Sequence, residues 1–320
     1  MRLTTSALYR EAYGRYAVGH FNVTNMEQIL AVFEGAMQAH APFIIALSRA
    51  ASAYAGVKML HNMIEAAHAE YPEAIFAVHH DHGTEETCYQ AIDSGCYTSV
   101  MIDASHHPFE ENIAITRRVV ERARAFGISV EAELGVLAGV EDDISVRQDQ
   151  ALLTHPAQAA EFVTRTDVDS LAVAVGTSHG AYKFAGEAGI RLDRLAEIQA
   201  KLPGFPLILH GASAVYPDEF ERINAAGGAL APGAKGVDEH QLPEAIRLGM
   251  TKVNVGTDGR LLWTRVHREF FRDHPNRFDF AEPGKVYMQE FARLVTHKCH
   301  VLGSASKLEQ VRAAITPGSL

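Results

Sequence analysis

The histidines and carboxylates of this 320-residue chain gather where short apolar runs end. One run closes on His79-His80-Asp81-His82-Gly83, another on Gly176-Thr177-Ser178-His179-Gly180, a third on His210-Gly211-Ala212-Ser213. Three imidazoles from separate strands, with a fourth position open, form a common ligand set for catalytic zinc. No local motif joins His82, His179 and His210, so the reading holds only if the fold brings three run ends together. Glycine beside a ligand lets a substrate approach the backbone. Asp81 adjoins His82. Neighbours on a strand point oppositely, but where a strand turns into a loop both can face one mouth, which makes Asp81 a candidate proton-transfer group. Glu131 and Glu133 lie two apart at the end of a further run, on one face of a strand. Buried carboxylates need a cation or donors. One reading makes one of this pair a metal or cation contact; the other has Glu131 accepting bonds from a lysine or arginine of the interior. Asp103, then His106 and His107, end another run, as do Ser48 and the pair His20 and Asn22.

A second chemistry is written in the turns. Residues 176–180 and 211–213, with Lys183, and the stretch Asn254-Val255-Gly256-Thr257 are rich in glycine, serine and threonine. Backbone N–H groups at such turns and helix starts bind phosphate.

The elements that must carry these groups follow from the apolar pattern. Eight short runs lack clean alternation, as strands covered on both faces do: Tyr16–His20, Phe43–Leu47, Ile75–His80, Thr98–Ile102, Ile128–Glu133, Leu171–Val175, Pro206–His210 and Thr251–Val255. Helical spacing fills Asn25–His40, Phe109–Phe126, Asp218–Ala226, Glu239–Leu248 and Gly259–Phe271, with Gly127 and Gly249 placed as C-caps. Eight strands with intervening helices predict an α/β fold, a (β/α)8 TIM barrel, as one domain over residues 1–320. A doubly wound sheet lacks its Gly-rich fingerprint here. Leu137–Leu153 and Gly227–Glu239 read as long active-site loops. A barrel puts its chemistry at the C-terminal strand ends, where the residues above stand.

Composition agrees. Hydrophobic residues are 47% and charged residues 21%, which is globular. The three cysteines have no framework spacing, which points to a reduced, cytoplasmic setting. A net charge of −10 disfavours nucleic acid as a partner. The first ten residues show no apolar signal segment, and no run approaches the ~20 residues that span a bilayer, so no membrane partner is expected.

On these residues the chain resembles the class II, metal-dependent fructose-bisphosphate aldolases. Two segments carry the family's diagnostic patterns: Ala77-Val78-His79-His80-Asp81-His82-Gly83, and Val130-Glu131-Ala132-Glu133-Leu134-Gly135 running on to Glu141. Asn22-Val23-Thr24-Asn25, Met101 to His106, Gly176 to Lys183 and Leu209 to Ser213 support them, and the likeness runs to Leu302-Gly303-Ser304-Ala305. The pattern is closer to the branch holding tagatose-bisphosphate and tetrameric bacterial aldolases than to the dimeric enteric type.

The resemblance implies a metal-dependent aldehyde-lyase that cleaves fructose 1,6-bisphosphate reversibly to dihydroxyacetone phosphate and glyceraldehyde 3-phosphate. It puts catalytic zinc on His82, His179 and His210, and a second or displaced divalent position at Asp103 and Glu133. Asp81 would exchange a proton at the C4 oxygen, and Glu141 at C1 of dihydroxyacetone phosphate. Gly180, Gly211, Ala212, Ser213 and the Asn254, Val255, Gly256, Thr257 turn would hold the C1 phosphate and ketose, with Lys183 and a sodium or potassium ion. Asn22 and Ser48 would face the aldehyde half. Partners are thus a phosphorylated ketose, dihydroxyacetone phosphate and an aldehyde, in a homodimer or homotetramer.

Two departures bear on substrate. The family usually has Asn-x-Asp-Thr-Asp where this chain has Asn254-Val255-Gly256-Thr257-Asp258, and often Phe-Asp-Pro-Arg, reaching the distal phosphate, where this chain has Phe278-Asp279-Phe280-Ala281. Arg277 and Lys285 are the candidate substitutes. The same chemistry on tagatose 1,6-bisphosphate, sedoheptulose 1,7-bisphosphate or another ketose phosphate therefore stays open. A Schiff-base route would need a lysine at the mouth. Lys252, the lysine of the eighth run, stands near that run's start, far from the expected mouth. A metal-dependent hydrolase commonly has a His-x-His pair ending the first strand. Here such a pair, His80 and His82, falls on the third.

Overall fold

The computed structural model describes residues 1–136, 138–141, 144–146, 152–179, 189–231 and 236–315, with the backbone alone at 138–141, 144–146 and 179. Gly180 and Lys183 lie outside the described residues.

The strands are β1 (Val18–Asn22), β2 (Phe43–Ser48), β3 (Phe76–Gly83), β4 (Ser99–Ile102), β5 (Ser129–Leu134), β6 (Ala138–Glu141), β7 (Ile144–Val146), β8 (Ser170–Val173), β9 (Ser178–His179), β10 (Leu207–Leu209) and β11 (Met250–Val255). Eight of them close in the order β1-β11-β10-β8-β5-β4-β3-β2. Every pairing around the ring is parallel. All eight expected runs are barrel strands. The first begins two residues late, at Val18, and so carries both His20 and Asn22 inside the strand.

The helices are α1 (Thr5–Ala12), α2 (Met26–Gln38), α3 (Arg49–Ala55), α4 (Val57–Glu70), α5 (Glu85–Ser94), α6 (Phe109–Arg124), α7 (Pro156–Thr166), α8 (Leu192–Lys201), α9 (Pro217–Ala225), α10 (Leu242–Arg247), α11 (Thr257–Asp273), α12 (Ala281–Val301) and α13 (Leu308–Ala314). Local chemistry sets several starts. The Asn25 side chain accepts from the Gln28 N–H at the head of α2, and Thr84 and Thr87 form a capping box on α5. Outward strand residues meet the helices: Phe43 and Phe76 stack, and Phe33 of α2 packs edge-on against both. Helix α12 crosses α2 at Gly35, where a Cβ would strike the Ala292 carbonyl and lie 2.7 Å from Cβ of Val295. The Thr296 hydroxyl donates to the Gly35 carbonyl at 2.9 Å, beside the helical bond from the Ala39 N–H.

Three expectations change. The stretch 137–153, read as a loop, contributes β6 and β7, which pair antiparallel, and β6 pairs parallel with β9. The expected helix Glu239–Leu248 is a 3₁₀ turn, Glu239–Gln241, followed by α10, with proline in the first turn of α10. Helices α3, α4, α5, α7 and α8 fill intervening positions for which the apolar pattern gives no named bounds, and α1, α12 and α13 lie outside the alternation it describes. Among the described residues, no helix is long and apolar enough to cross a membrane.

Candidate metal centre at the barrel mouth

Strand β3 delivers most of the site. Its register against β4 shifts between His80 and Gly83, and His82 takes the left-handed backbone, φ 49°. A regular strand would turn Asp81 and His82 to opposite sides. The bulge faces both inward, at a backbone cost of about 1–3 kcal/mol. His80 stays outside: its Nε2 lies 3.1 Å from the Thr87 hydroxyl of α5. The His80/His82 pair therefore forms no chelate.

The inward groups converge. Nε2 of His82 lies 3.0 Å from Nδ1 of His210, with the rings edge-to-face. The other nitrogen of each ring meets a carboxylate: Nδ1 of His82 is 3.0 Å from Asp103, and Nε2 of His210 is 2.8 Å from Glu131. Glu133 stands 3.9 Å from Nδ1 of His82. Asp81, His82 and His210 form one group whose candidate ligand atoms lie within 4.8 Å of one another, and His82, Asp103 and Glu133 form a second. A carboxylate behind each imidazole is the usual outer arrangement of a metal site. A tetrahedral ion bonded at ~2.0–2.1 Å sets two ligand nitrogens about 3.4 Å apart, close to the separation here. The donor set therefore fits a divalent metal.

The electrostatics agree. Burial pushes the His210 ring down to about 4, so it is neutral and able to bind metal. Burial would raise Asp103, but the His82 ring and the Ser105 hydroxyl and N–H outweigh it and hold the carboxyl well below its ordinary value. Burial likewise opposes the charge on Asp81, and His20, His82 and Lys252 overcome it. Lys252 is fully buried, its Nζ 2.9 Å from Glu131. That corrects the expectation for this lysine: it starts low in its strand, yet its long side chain reaches the group that holds His210. Of the two readings of Glu131, the one in which a lysine neutralises it matches this geometry.

The turn residues are drawn together as well. The Gly256 N–H faces the Ser213 hydroxyl at 3.4 Å. Asp258 accepts from the N–H groups of Ala214 (3.0 Å) and Val215 (2.8 Å), tying the 213–215 turn to the head of α11. Lys298 of α12, almost fully buried, pairs with Asp258 at 3.0 Å and Glu239 at 2.6 Å. The Asn254 amide lies 3.3 Å from Nδ1 of His210. The side chains of Ala212 and Val255 are buried in the hydrophobic core, so only their backbone is left to meet a ligand. The glycines after His82 and His210 serve packing. A Cβ on Gly83 would stand 2.6 Å from Sγ of Cys88, and Gly211, at φ 61°, admits the Ser178 carbonyl.

Other expected residues are more dispersed. The Asn22 amide donates to Asp81 at 2.8 Å. Ser48 is buried and caps α3, accepting from the Ala51 N–H at 3.2 Å. Thr257 opens α11. Backbones place His179 in β9 and Glu141 in β6, two strands of one small sheet. Arg277 lies on the exposed turn between α11 and α12, its guanidinium 2.6 Å from Glu282, and Lys285 is exposed in the first turn of α12. Neither belongs to the histidine–carboxylate cluster. Sequence reasoning gave no role to His20, Lys252, Asp258 or Lys298. The available signals were the run-end positions of His20 and Asp258 and the presence of Lys252 in an otherwise apolar run; Lys298, in a polar stretch, carried none.

A closed eight-stranded barrel with imidazoles and carboxylates convergent at one mouth defines a metal-dependent barrel enzyme. Comparison with known proteins makes the class specific. The family model for class-II fructose-bisphosphate aldolase matches residues 3–307. The fructose-bisphosphate aldolase of Giardia intestinalis is 45% identical over 297 residues, covering 91% of this chain and 89% of its own. That of Thermus caldophilus is 43% identical, covering 96% and 100%. Among solved structures, the YdjI aldolase of Escherichia coli K12 superposes with a TM-score of 0.76 at 26% identity, covering 96% of this chain and all of its own. The chain belongs to the class II fructose-bisphosphate aldolase family, and its chemistry is that family's metal-dependent aldol chemistry.

Proposed function

We propose that the chain, as one domain over residues 1–320, cleaves fructose 1,6-bisphosphate reversibly to dihydroxyacetone phosphate and glyceraldehyde 3-phosphate in the cytoplasm, as a homodimer or homotetramer. Zinc would be held by His82, His179 and His210, with Asp103 and Glu133 offering a second divalent position. The observation that carries this reading is the facing pair of ring nitrogens on His82 and His210, 3.0 Å apart, each ring backed by a carboxylate.

Bound there, a divalent ion supplies Lewis-acid stabilisation of the charge that develops on the C2 oxygen as the C3–C4 bond breaks. The chain's own residues do the rest. Asp81 takes the proton of the C4 hydroxyl, whose oxygen becomes the aldehyde carbonyl as the C3–C4 electron pair leaves toward the ketose half. Glu141 exchanges the C1 proton of dihydroxyacetone phosphate. Ser213, Gly211 and the Asn254–Thr257 turn, with Gly180, Lys183 and a monovalent cation, hold the C1 phosphate, and Asn22 and Ser48 border the aldehyde half.

A second reading concerns the distal phosphate. Gly256 brings no carboxylate to the ketose, Ala281 no guanidinium, and Arg277 is already paired with Glu282. These features favour a ketose phosphate whose far end is not held by arginine. The deciding assay is kcat/KM on fructose 1,6-bisphosphate, tagatose 1,6-bisphosphate, sedoheptulose 1,7-bisphosphate and fructose 1-phosphate, with Arg277→Ala and Lys285→Ala beside the wild type. The first reading expects a bisphosphate preference that one variant reduces roughly ten- to a hundredfold, the worth of a hydrogen bond to a charged group. Equal efficiency on fructose 1,6-bisphosphate and fructose 1-phosphate would overturn it. Chelation should abolish turnover and zinc should restore it; full activity without metal would sink the centre itself.

A further inference from the structure

We propose that His20 is a positioning residue for Asp81, holding its carboxylate in the orientation that proton transfer at the C4 oxygen requires. The inference rests on the reading of Asp81 as the group that takes that proton.

His20 and Asn22 are two apart on β1 and share its inward face. Between them they address both oxygens of one carboxylate, two strands away on β3. The Asn22 amide donates to Oδ2 of Asp81 at 2.8 Å. Nε2 of His20 faces Oδ1 at 3.5 Å, and Oδ1 has no hydrogen-bond partner among the described residues. Catalytic hydrogen bonds are often long in a ligand-free enzyme and tighten with substrate. His20 is fully buried, so water does not compete for the contact.

The ring is itself held. It stacks edge-to-face on His79, with ring centres 5.3 Å apart. Nδ1 of His79 lies 2.8 Å from the Ser99 hydroxyl, and Ser99 lies 3.0 Å from the Thr5 hydroxyl. A fixed stack thus reaches from the floor of the barrel to the back of Asp81. Burial, then the nearby Lys252 ammonium, keep His20 neutral, so it offers one N–H without a competing charge. Held at Oδ2 by Asn22 and, once the His20 contact tightens with substrate, at Oδ1 as well, the carboxylate cannot rotate about its Cβ–Cγ bond, and its free lone pairs point one way. Without His20, the Asn22 contact alone leaves that rotation open.

The test compares His20→Ala, His20→Phe and His20→Gln, each at measured metal content and thermal midpoint. Two reactions are followed in each: cleavage of fructose 1,6-bisphosphate, and exchange of the C1 proton of dihydroxyacetone phosphate, which does not use Asp81. The Ala and Phe variants should lose roughly ten- to a hundredfold in kcat for cleavage, the scale of a misplaced reacting group. KM should stay within about twofold, and the exchange rate should not change. Gln carries an amide N–H into the same space and should recover most of kcat. Phe keeps the ring packing, so a folding defect confined to Ala does not leave the question open. Wild-type cleavage in Ala or Phe, or loss of exchange in step with cleavage, would overturn the proposal. Asp81→Ala separates the two claims: wild-type cleavage in that variant defeats the reading of Asp81, whatever His20 does.

Discussion

Acid sensitivity should have a traceable source in His80, the member of the histidine-rich strand that turns away from the site. It is almost wholly buried, touches the Thr87 hydroxyl and lies edge-on to Tyr97. Burial, against the pull of Asp81, brings its pKa down to about 4. In the unfolded chain the ring titrates near its ordinary value of about 6.5. A histidine depressed on folding binds its proton first in the unfolded state. Its contribution to stability is therefore intact above about 6.5 and is lost as the pH falls from there toward 4. Each pH unit of difference is worth about 1.4 kcal/mol, so the whole loss is about 3 kcal/mol, of which about 2 kcal/mol is reached by pH 5. His80→Leu fills a similar volume and takes up no proton. Urea denaturation of both proteins at about pH 7.5 and pH 5, at equal metal loading, isolates the term, because the other histidines titrate in both. The variant should lose about 2 kcal/mol less than the wild type on acidification. Parallel losses would refute the claim that burial keeps this ring neutral.

Two further perturbations test the buried charges. Lys252→Met removes the cation that neutralises Glu131, and metal affinity measured by competition with a chromogenic chelator should fall about 10- to 100-fold, as when outer partners of a ligand are lost; unchanged affinity would disconnect this lysine from the centre. Arg265, almost fully buried, pairs with Glu219, Glu269 and Glu290, so Arg265→Met should cost about 3 kcal/mol in urea denaturation, with a value under about 1 kcal/mol excluding a structural role for the triad.

The barrel was legible because its strands are covered on both faces and so read as unbroken apolar runs, each closing on polar residues. The meeting of His82 with His210 followed from that topology alone; the places of Asp103 and Glu133 beside them came with the family resemblance. The small sheet escaped notice because its strands have two to four residues, too short for a period, and β6 opens on Ala138 and Gly139. Helix α12 escaped because Pro283 and Gly284 sit in its first turn and read as a break. His20 was visible as a polar strand end, but its role depends on which residues face inward across three neighbouring strands. An error of two residues in where β1 ends is enough to hide that. Lys252 was misplaced for another reason: position along a strand fixes Cα, whereas a four-carbon stem carries the charge well beyond it.

The pairing of β6 with β9 has a mechanical consequence. Gly139 is in register with His179, so the hairpin that ends on Glu141 is hydrogen-bonded to the backbone of the histidine assigned to zinc. The two proposed functions, metal retention and C1 proton exchange, therefore share one set of main-chain bonds. Anything that anchors residue 179 steadies the hairpin, and anything that seats the hairpin steadies residue 179. Reciprocity is obligatory in thermodynamics: by whatever factor a bound ion tightens a ligand that contacts the hairpin, that ligand tightens the ion. The short sheet thus makes the position of residue 179 and the seating of the hairpin answer to one set of main-chain bonds.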